Sequence, residues 1–189
     1  MKLFKKQFID FINLKSKFEG GFTLIETLVA ISILATALVG PMTIASRSIA
    51  SAGYAKDQMT AFFLAEEAVE YVRNTRDNNA LAGDSWLTNL SACMNEECTI
   101  NALALNNNPG AKATACPGGV CPPLSYNSAS GLYGYGSGAG WSPTVFTREV
   151  IFNELVADRE VEILVTISWS VGRLQRSFVV SENLLNWQL

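Results

Sequence analysis

Two groups of residues in this sequence have types and spacings that suit chemistry. Glu26 is the only ionisable side chain in the apolar run from Phe22 to Ser46. A carboxylate at the centre of a bilayer costs about 3 kcal/mol on insertion scales, so Glu26 calls for a partner. The second group is four thiols in the polar middle of the chain, which suit either two disulfides or one zinc ion. They are Cys93, Cys98, Cys116 and Cys121.

Histidine is absent from all 189 residues. Its absence removes the commonest general base, the Ser-His and Cys-His nucleophile pairs, and most catalytic zinc sites. The sequence therefore predicts a protein that is not an enzyme. We expect no catalytic residue, no cofactor and no metal.

The charge of the chain disfavours nucleic acid as a partner. The whole chain has 14 basic and 17 acidic residues, and residues 1–21 hold five of the lysines together with Asp10 and Glu19. The remainder has 9 basic and 15 acidic residues, a net charge of −6. Bulk attraction to phosphate backbones requires the opposite sign.

The apolar run is long enough to cross a membrane. Its 25 residues would span roughly 37 Å as a helix. Five lysines precede it, whereas the nearest charges after it are Arg47, Lys56 and Asp57. By the positive-inside rule the N-terminus stays in the cytoplasm and the C-terminal body lies outside the membrane.

Three interpretations of this run compete. The first is a plain signal anchor, and the second is a signal peptide cut after Ala37 in the small-x-small sequence "ATA". The third is more specific and rests on the residues at the start of the run. The stretch "EGGFTLIETLVAISIL" has a glycine, then Phe22, then an acid four residues on inside an apolar helix. It resembles the prepilin N-terminal motif of type IV pilins and type II secretion pseudopilins.

The resemblance implies a processing step and an assembly role. In that family a membrane peptidase cuts after the glycine, here between Gly21 and Phe22, and methylates the new amine. Glu26 would then meet the terminal amine of a neighbouring subunit, since either charge alone is costly in an apolar setting. The implied partners are prepilin peptidase, other pilin subunits, an inner-membrane assembly platform, and membrane lipid before assembly. The final location would be an extracytoplasmic or cell-surface filament.

An amphipathic helix is expected to follow the membrane segment. In residues 50–79 the apolar side chains recur every three, four or seven residues, which favours a helix packed on a sheet. The Gly40-Pro41 pair predicts a bend or local melting earlier in the helix. The predicted stripe comprises Ala52, Ala55, Met59, Phe62, Phe63, Val69 and Val72.

The middle of the chain, residues 79–144, is rich in Asn, Gly, Ser and Pro and is predicted to be a loop-rich insertion. Export favours disulfides over zinc for its four cysteines. Three connectivities are possible. A nested ladder, Cys93 with Cys121 and Cys98 with Cys116, and two local loops are the favoured connectivities, and the sequence does not choose between them.

Three strands are predicted near the C-terminus, at 144–155, 159–171 and 174–187, because apolar and polar residues alternate there. The predicted fold class is thus α+β and pilin-like. A long N-terminal helix, first membrane-spanning and then amphipathic, packs on a C-terminal antiparallel sheet, with a loop-rich cysteine-containing insertion between them. The predicted segments are 1–21 (leader), 22–46 (membrane or filament-core helix), 47–78 (amphipathic helix), 79–144 (insertion) and 145–189 (sheet).

The functional prediction is a minor pilin, an assembly subunit of a type IV pilus-like filament. The stretch "FFLAEEAVEYVRNTRDNN" also resembles the matching region of minor pilins and of some pseudopilins. A type II secretion pseudopilin is one alternative. A membrane-anchored binding module, or adhesin, is the other, using the cysteine loop with Tyr133, Tyr135 and Trp141.

Overall fold

The structure, a computed structural model, describes residues 21–103 and 113–187. The predicted leader, apart from Gly21, lies outside these residues. The chain divides into two compact units, Met1–Ala52 and Gly53–Leu189, with the boundary inside a single helix. The elements are helix α1 (Leu24–Ala82), 3-10 turns at Ser91–Cys93 and Pro117–Gly119, and strands β1 (Cys98–Ile100), β2 (Ala113–Ala115), β3 (Pro123–Asn127), β4 (Leu132–Gly134), β5 (Trp141–Val156), β6 (Glu160–Val171) and β7 (Leu174–Leu185).

Helix α1 runs through Gly40 and Pro41 without interruption. The predicted local melting at this pair is therefore wrong, while the predicted bend stays a prediction. Proline removes only one helical N–H, and the turns on both sides continue the hydrogen-bond ladder. The carbonyl of Gly40 also accepts a bond from the hydroxyl of Thr43, at 2.7 Å.

All strand pairs of the seven-stranded sheet are antiparallel, and β5 is its centre. One edge of β5 pairs with β6, which pairs in turn with β7. The other edge is shared, because β3 pairs with the first part of β5 and β1 joins it at Val150. The short strands β4 and β2 extend β3 and β1 respectively.

The predicted α+β architecture is confirmed, with a long helix packed on an antiparallel sheet. The three predicted C-terminal strands correspond to β5, β6 and β7. The alternation seen in the sequence of β6 is an alternation of burial, because every second side chain from Val161 to Trp169 is 2% exposed or less. The insertion is more ordered than its composition suggests, since β1 to β4 lie within residues 79–144 and belong to the same sheet.

The face of α1 that packs on the sheet differs from the predicted stripe. Of the seven predicted side chains only Val69 and Val72 are buried, while Met59 and Phe63 are about 60% exposed. Alanines allow the helix backbone to approach the branched side chains of the sheet closely, and the larger aromatic side chains stay outside. The apolar residues of α1 that are buried are Ala61, Leu64, Ala65, Ala68, Val69 and Val72.

An arginine occupies a core position of β5. Arg148 is fully buried among apolar neighbours. One terminal nitrogen donates to the Glu67 carboxylate at 2.7 Å and to the carbonyl of Leu64 at 2.9 Å. The other donates to the carbonyl of Ile100 in β1 at 2.6 Å. This side chain therefore links α1, β1 and β5 from inside the core.

Tyr135 lies beside this guanidinium. Its hydroxyl donates to the carbonyl of Arg148 at 3.5 Å, and burial raises its pKa. The phenol therefore stays neutral at physiological pH and acts as a donor. The loop that follows β4 is in this way attached to β5.

The four cysteines form two local disulfides, Cys93–Cys98 and Cys116–Cys121. Of the two connectivities that the sequence leaves open, the structure has the two local loops and not the nested ladder. The reason is the pairing of β1 with β2, which sets Cys98 opposite Ala115 rather than Cys116. The Cα atoms of the bonded pairs are 5.0 and 4.7 Å apart. A zinc knuckle would need four free thiolates, and here all four are oxidised.

Replacement of Arg148 by methionine should lower the free energy of unfolding by about 3 kcal/mol, because buried backbone carbonyls lose their donor. The measurement is a urea titration of the purified chain in detergent, followed by tryptophan fluorescence. Arg73→Met is the matched control, since Arg73 also pairs with carboxylates but is 45% exposed. It should cost under about 1 kcal/mol. Equal losses in the two variants would contradict the role given to Arg148.

The disulfide pairing can be read from a tryptic digest without reduction. Lys112 is the only lysine or arginine between Cys98 and Cys116. With local disulfides, cleavage after Lys112 separates the peptides 77–112 and 113–148, each carrying one closed loop. Nested disulfides would keep these peptides joined until a reductant is added. A joined peptide in the mass spectrum would therefore refute the local pairing.

Candidate processing and assembly segment

The chain enters α1 through three exposed non-helical residues, Gly21, Phe22 and Thr23. Phe22 is 78% exposed, and no atom lies close to where a side chain on Gly21 would begin. The peptide bond between Gly21 and Phe22 is thus exposed and lies outside the helix, immediately before its first turn. A protease needs this combination, because helical and buried bonds do not fit an active-site cleft.

Thr23 is the cap of α1. The N–H of Glu26 donates to the hydroxyl of Thr23 at 3.3 Å, and the N–H of Thr27 donates to its carbonyl at 3.2 Å. Thr-x-x-Glu is the spacing of a capping box, and a carboxylate in the first turn also favours the positive end of the helix dipole. The half of the box that the structure shows is the bond from the backbone N–H of Glu26 to Thr23, and the carboxylate of Glu26 acts locally through the helix dipole. The spacing is legible in the sequence "TLIE".

The other polar side chains of the apolar run are satisfied inside the helix. Five hydroxyls each donate to a carbonyl three or four residues earlier, at distances between 2.7 and 3.0 Å. In hydrocarbon an unpaired hydroxyl would cost free energy, so this pairing makes the segment compatible with a bilayer. The five residues are Thr27, Ser32, Thr36, Thr43 and Ser46.

Every residue from 21 to 52 is exposed, including large side chains such as Ile25, Ile31 and Leu38. Among the described residues α1 is the one helix that is long and apolar enough to cross a membrane, and its most apolar stretch has no buried residue. The first unit alone therefore leaves a large apolar surface in water. This surface needs lipid or another apolar surface around it.

A family model described as the prokaryotic N-terminal methylation motif matches residues 16–40. The chain carries this motif. It is the signature of type IV pilins and pseudopilins, so the resemblance inferred from Gly21, Phe22 and Glu26 is confirmed. The match covers the start of the chain and does not extend into the second unit. No curated protein and no solved structure is significantly similar to the chain.

The motif supports a pilin-like or pseudopilin subunit and points to a structural role rather than to catalysis. It also implies processing by prepilin peptidase and assembly with other pilins. The apolar helix and the motif together are consistent with a membrane-anchored precursor.

The aromatic residues suggested for a binding site are engaged in packing. Tyr133 and Tyr135 are half-buried against the core. Trp141 lies directly over Gly136, where a methyl group would be only 2.2 Å from the indole ring. These rings are thus not stacking platforms open to solvent, and the binding-module alternative stays a prediction without structural support.

The carboxylates of the sheet are used in hydrogen bonds rather than gathered for an ion. Glu162 accepts from Ser181 and Asn153, and these bonds lower its pKa. Burial, and next the charge of Glu97, raise the pKa of Glu149. Among the residues that the structure describes, no three acidic or thiol side chains are placed to hold a metal.

Proposed function

We propose that this protein is a minor pilin, made as a membrane-anchored precursor and cut by prepilin peptidase between Gly21 and Phe22. The mature chain polymerises through α1 into a type IV pilus-like filament. The observation that carries the proposal is the methylation motif at residues 16–40. The open Gly21-Phe22 bond ahead of a capped, fully exposed apolar helix supports it.

The first turn of α1 suits subunit assembly. Cleavage would create a cationic amine on Phe22, four residues from Glu26, and both would lie in an apolar environment. A buried charge is costly alone and less costly when paired, so the carboxylate of one subunit and the amine of its neighbour set the register between helices. The cap from Thr23 to the N–H of Glu26 holds this turn helical while leaving the carboxylate free to accept that bond.

The two units would work in different surroundings. Before assembly, residues 22–46 lie in the inner membrane with lysines on the cytoplasmic side, and the sheet unit lies outside. After cleavage an assembly platform extracts the helix, and the helices of other subunits replace lipid around it. The two disulfides fit this location, because oxidising conditions outside the cytoplasm preserve them.

A type II secretion pseudopilin is the second candidate, since the same motif marks both classes. The two are separated by the phenotype of a strain that lacks this chain. Loss of surface pili with normal secretion supports the minor pilin. Loss of secreted hydrolases with normal pili supports the pseudopilin.

The mature protein should begin at N-methylated phenylalanine, Phe22. The measurement is the intact mass and the N-terminal sequence of the protein purified from its own membranes. Gly21→Val should leave the precursor uncut, because a bulky residue replaces the glycine at the cleaved bond. A native N-terminus at Met1 or at Leu38 would refute processing at Gly21.

Glu26→Ala should be processed normally and yet fail to enter filaments, because the amine of the neighbouring subunit loses its partner. We expect at least about tenfold less variant in sheared filaments than wild type, since one lost buried pairing is worth more than about 1.4 kcal/mol. Thr23→Ala is the matched control. It removes the cap of the same turn but keeps the carboxylate, so it should assemble. Equal failure of both variants would show that assembly depends on the helicity of this turn and would contradict a specific pairing of the Glu26 carboxylate.

A further inference from the structure

Strand β7 forms an open edge of the sheet. Within the described residues it pairs only with β6, over all twelve positions from Leu174 to Leu185. The register is unbroken from end to end, without a bulge. The opposite side of the sheet ends in β2 and β4, each of only three residues. The long edge of β7 is therefore the largest open row of backbone hydrogen-bonding groups in the described sheet.

The odd-numbered residues of β7 direct their backbone groups to the open side. A two-residue turn, Gly172 and Arg173, joins β6 to β7, so the flanking pair Val171 and Leu174 bond to each other. In an antiparallel pair such residues alternate with residues that point away. The carbonyl of Leu185 fits this assignment, because it accepts a bond from Arg76 of the helix at 3.3 Å rather than from β6.

The usual protections of an edge are missing from β7. Proteins block open edges with proline, lysine, bulges or outward charges. The strand has no proline and no lysine. Its two charged side chains are held on the helix side, where Arg176 lies 5.4 Å from the ring centre of Tyr54 and Glu182 binds Arg73. The edge is therefore competent to accept another strand.

The sequence of β7 is almost a palindrome. In "LQRSFVVSENL", residues 174–184, positions equally distant from Val179 carry matching or complementary side chains. Ser177 mirrors Ser181, and Arg176 mirrors Glu182 with the opposite charge. The remaining mirrored pairs are Phe178 with Val180, Gln175 with Asn183, and Leu174 with Leu184.

We propose that the open edge of β7 pairs with β7 of a second copy of this chain. The strands run antiparallel about a twofold axis at Val179, so each residue faces its mirror position in the partner. The charge of Arg176 then lies opposite the charge of Glu182, and apolar residues lie opposite apolar residues. The odd-numbered residues supply the backbone bonds. Leu185, whose carbonyl is occupied by Arg76, falls outside the paired stretch.

A twofold axis at Val179 relates two copies of the sheet unit, whose β7 strands then run antiparallel. This contact between two copies goes beyond the proposed function, which rests on the N-terminal helix. Paired strands alone bury less than the roughly 800 Å² per partner of a standard interface, so the contact is weak. The pairing itself does not depend on filament formation.

Disulfide trapping in the purified full-length chain tests the register. Val179→Cys places two new thiols opposite each other, and the Cα atoms of such a pair lie about 5.5 Å apart, within disulfide range. The native cysteines are already bonded and do not compete. Val145→Cys is the matched control, because Val145 is 53% exposed and Val179 is 52% exposed. Under a mild oxidant Val179→Cys should form covalent dimers at least about tenfold faster than the control.

A second experiment reads the direction of the strands. A mixture of Ser177→Cys and Ser181→Cys chains should cross-link to each other in preference to themselves, because residue 177 faces residue 181 only in the proposed register. Adding Val179→Lys to both chains should abolish the cross-link, whereas Val145→Lys should not. Equal trapping at residues 179 and 145, or no preference in the mixture, would overturn the proposal. Neither result bears on processing at Gly21, so the two proposals fail separately.

Discussion

A buried guanidinium is the constraint on which the sheet unit depends. Arg148 lies at a position where β5 otherwise presents phenylalanine and valine to the core, so its charge must find partners there. It finds them on two elements that are distant in sequence, α1 through Leu64 and Glu67 and β1 through Ile100. A helix shifted by one turn, or a β1 that failed to join the sheet, would leave the charge unpaired at high cost. Arg148 therefore couples the position of α1 on the sheet to the position of β1.

The C-terminal and N-terminal parts of α1 differ in how much of their surface is buried. From Ala61 to Val72 small and aliphatic side chains bury one face on the sheet. From residue 21 to residue 52 every side chain is exposed, and the hydroxyls there are satisfied within the helix. The C-terminal part keeps a fixed partner in the sheet. The N-terminal part presents apolar side chains that lipid or other helices can cover, as the proposed transfer from a membrane to a filament would require.

The middle of the chain shows how little apolar surface is needed to order a segment that joins an existing sheet. Strands β1 to β4 are three to five residues long, and none would be stable alone. They are held because β5, with its sixteen residues, offers β1 and β3 the hydrogen-bonding groups of the edge that faces away from β6. The local disulfides close the turns beside β1 and β2, and Cys93–Cys98 is itself buried in the core.

The amino-acid sequence by itself determined the methylation motif and the three long C-terminal strands, because each depends on residues close together in the chain. The oxidised state of the cysteines was predictable from the exported location that the N-terminal segment indicates. Only the tertiary structure decided which face of α1 is buried. Periodicity identified an apolar stripe that includes Met59 and Phe63. In the structure these two side chains are exposed, and the alanines of α1 pack against the sheet instead. The partner of Arg148 and the pairing of Cys93 with Cys98 were likewise decided by the register of β1 on β5 and β2. Such registers join residues up to about fifty positions apart, and no local pattern encodes them.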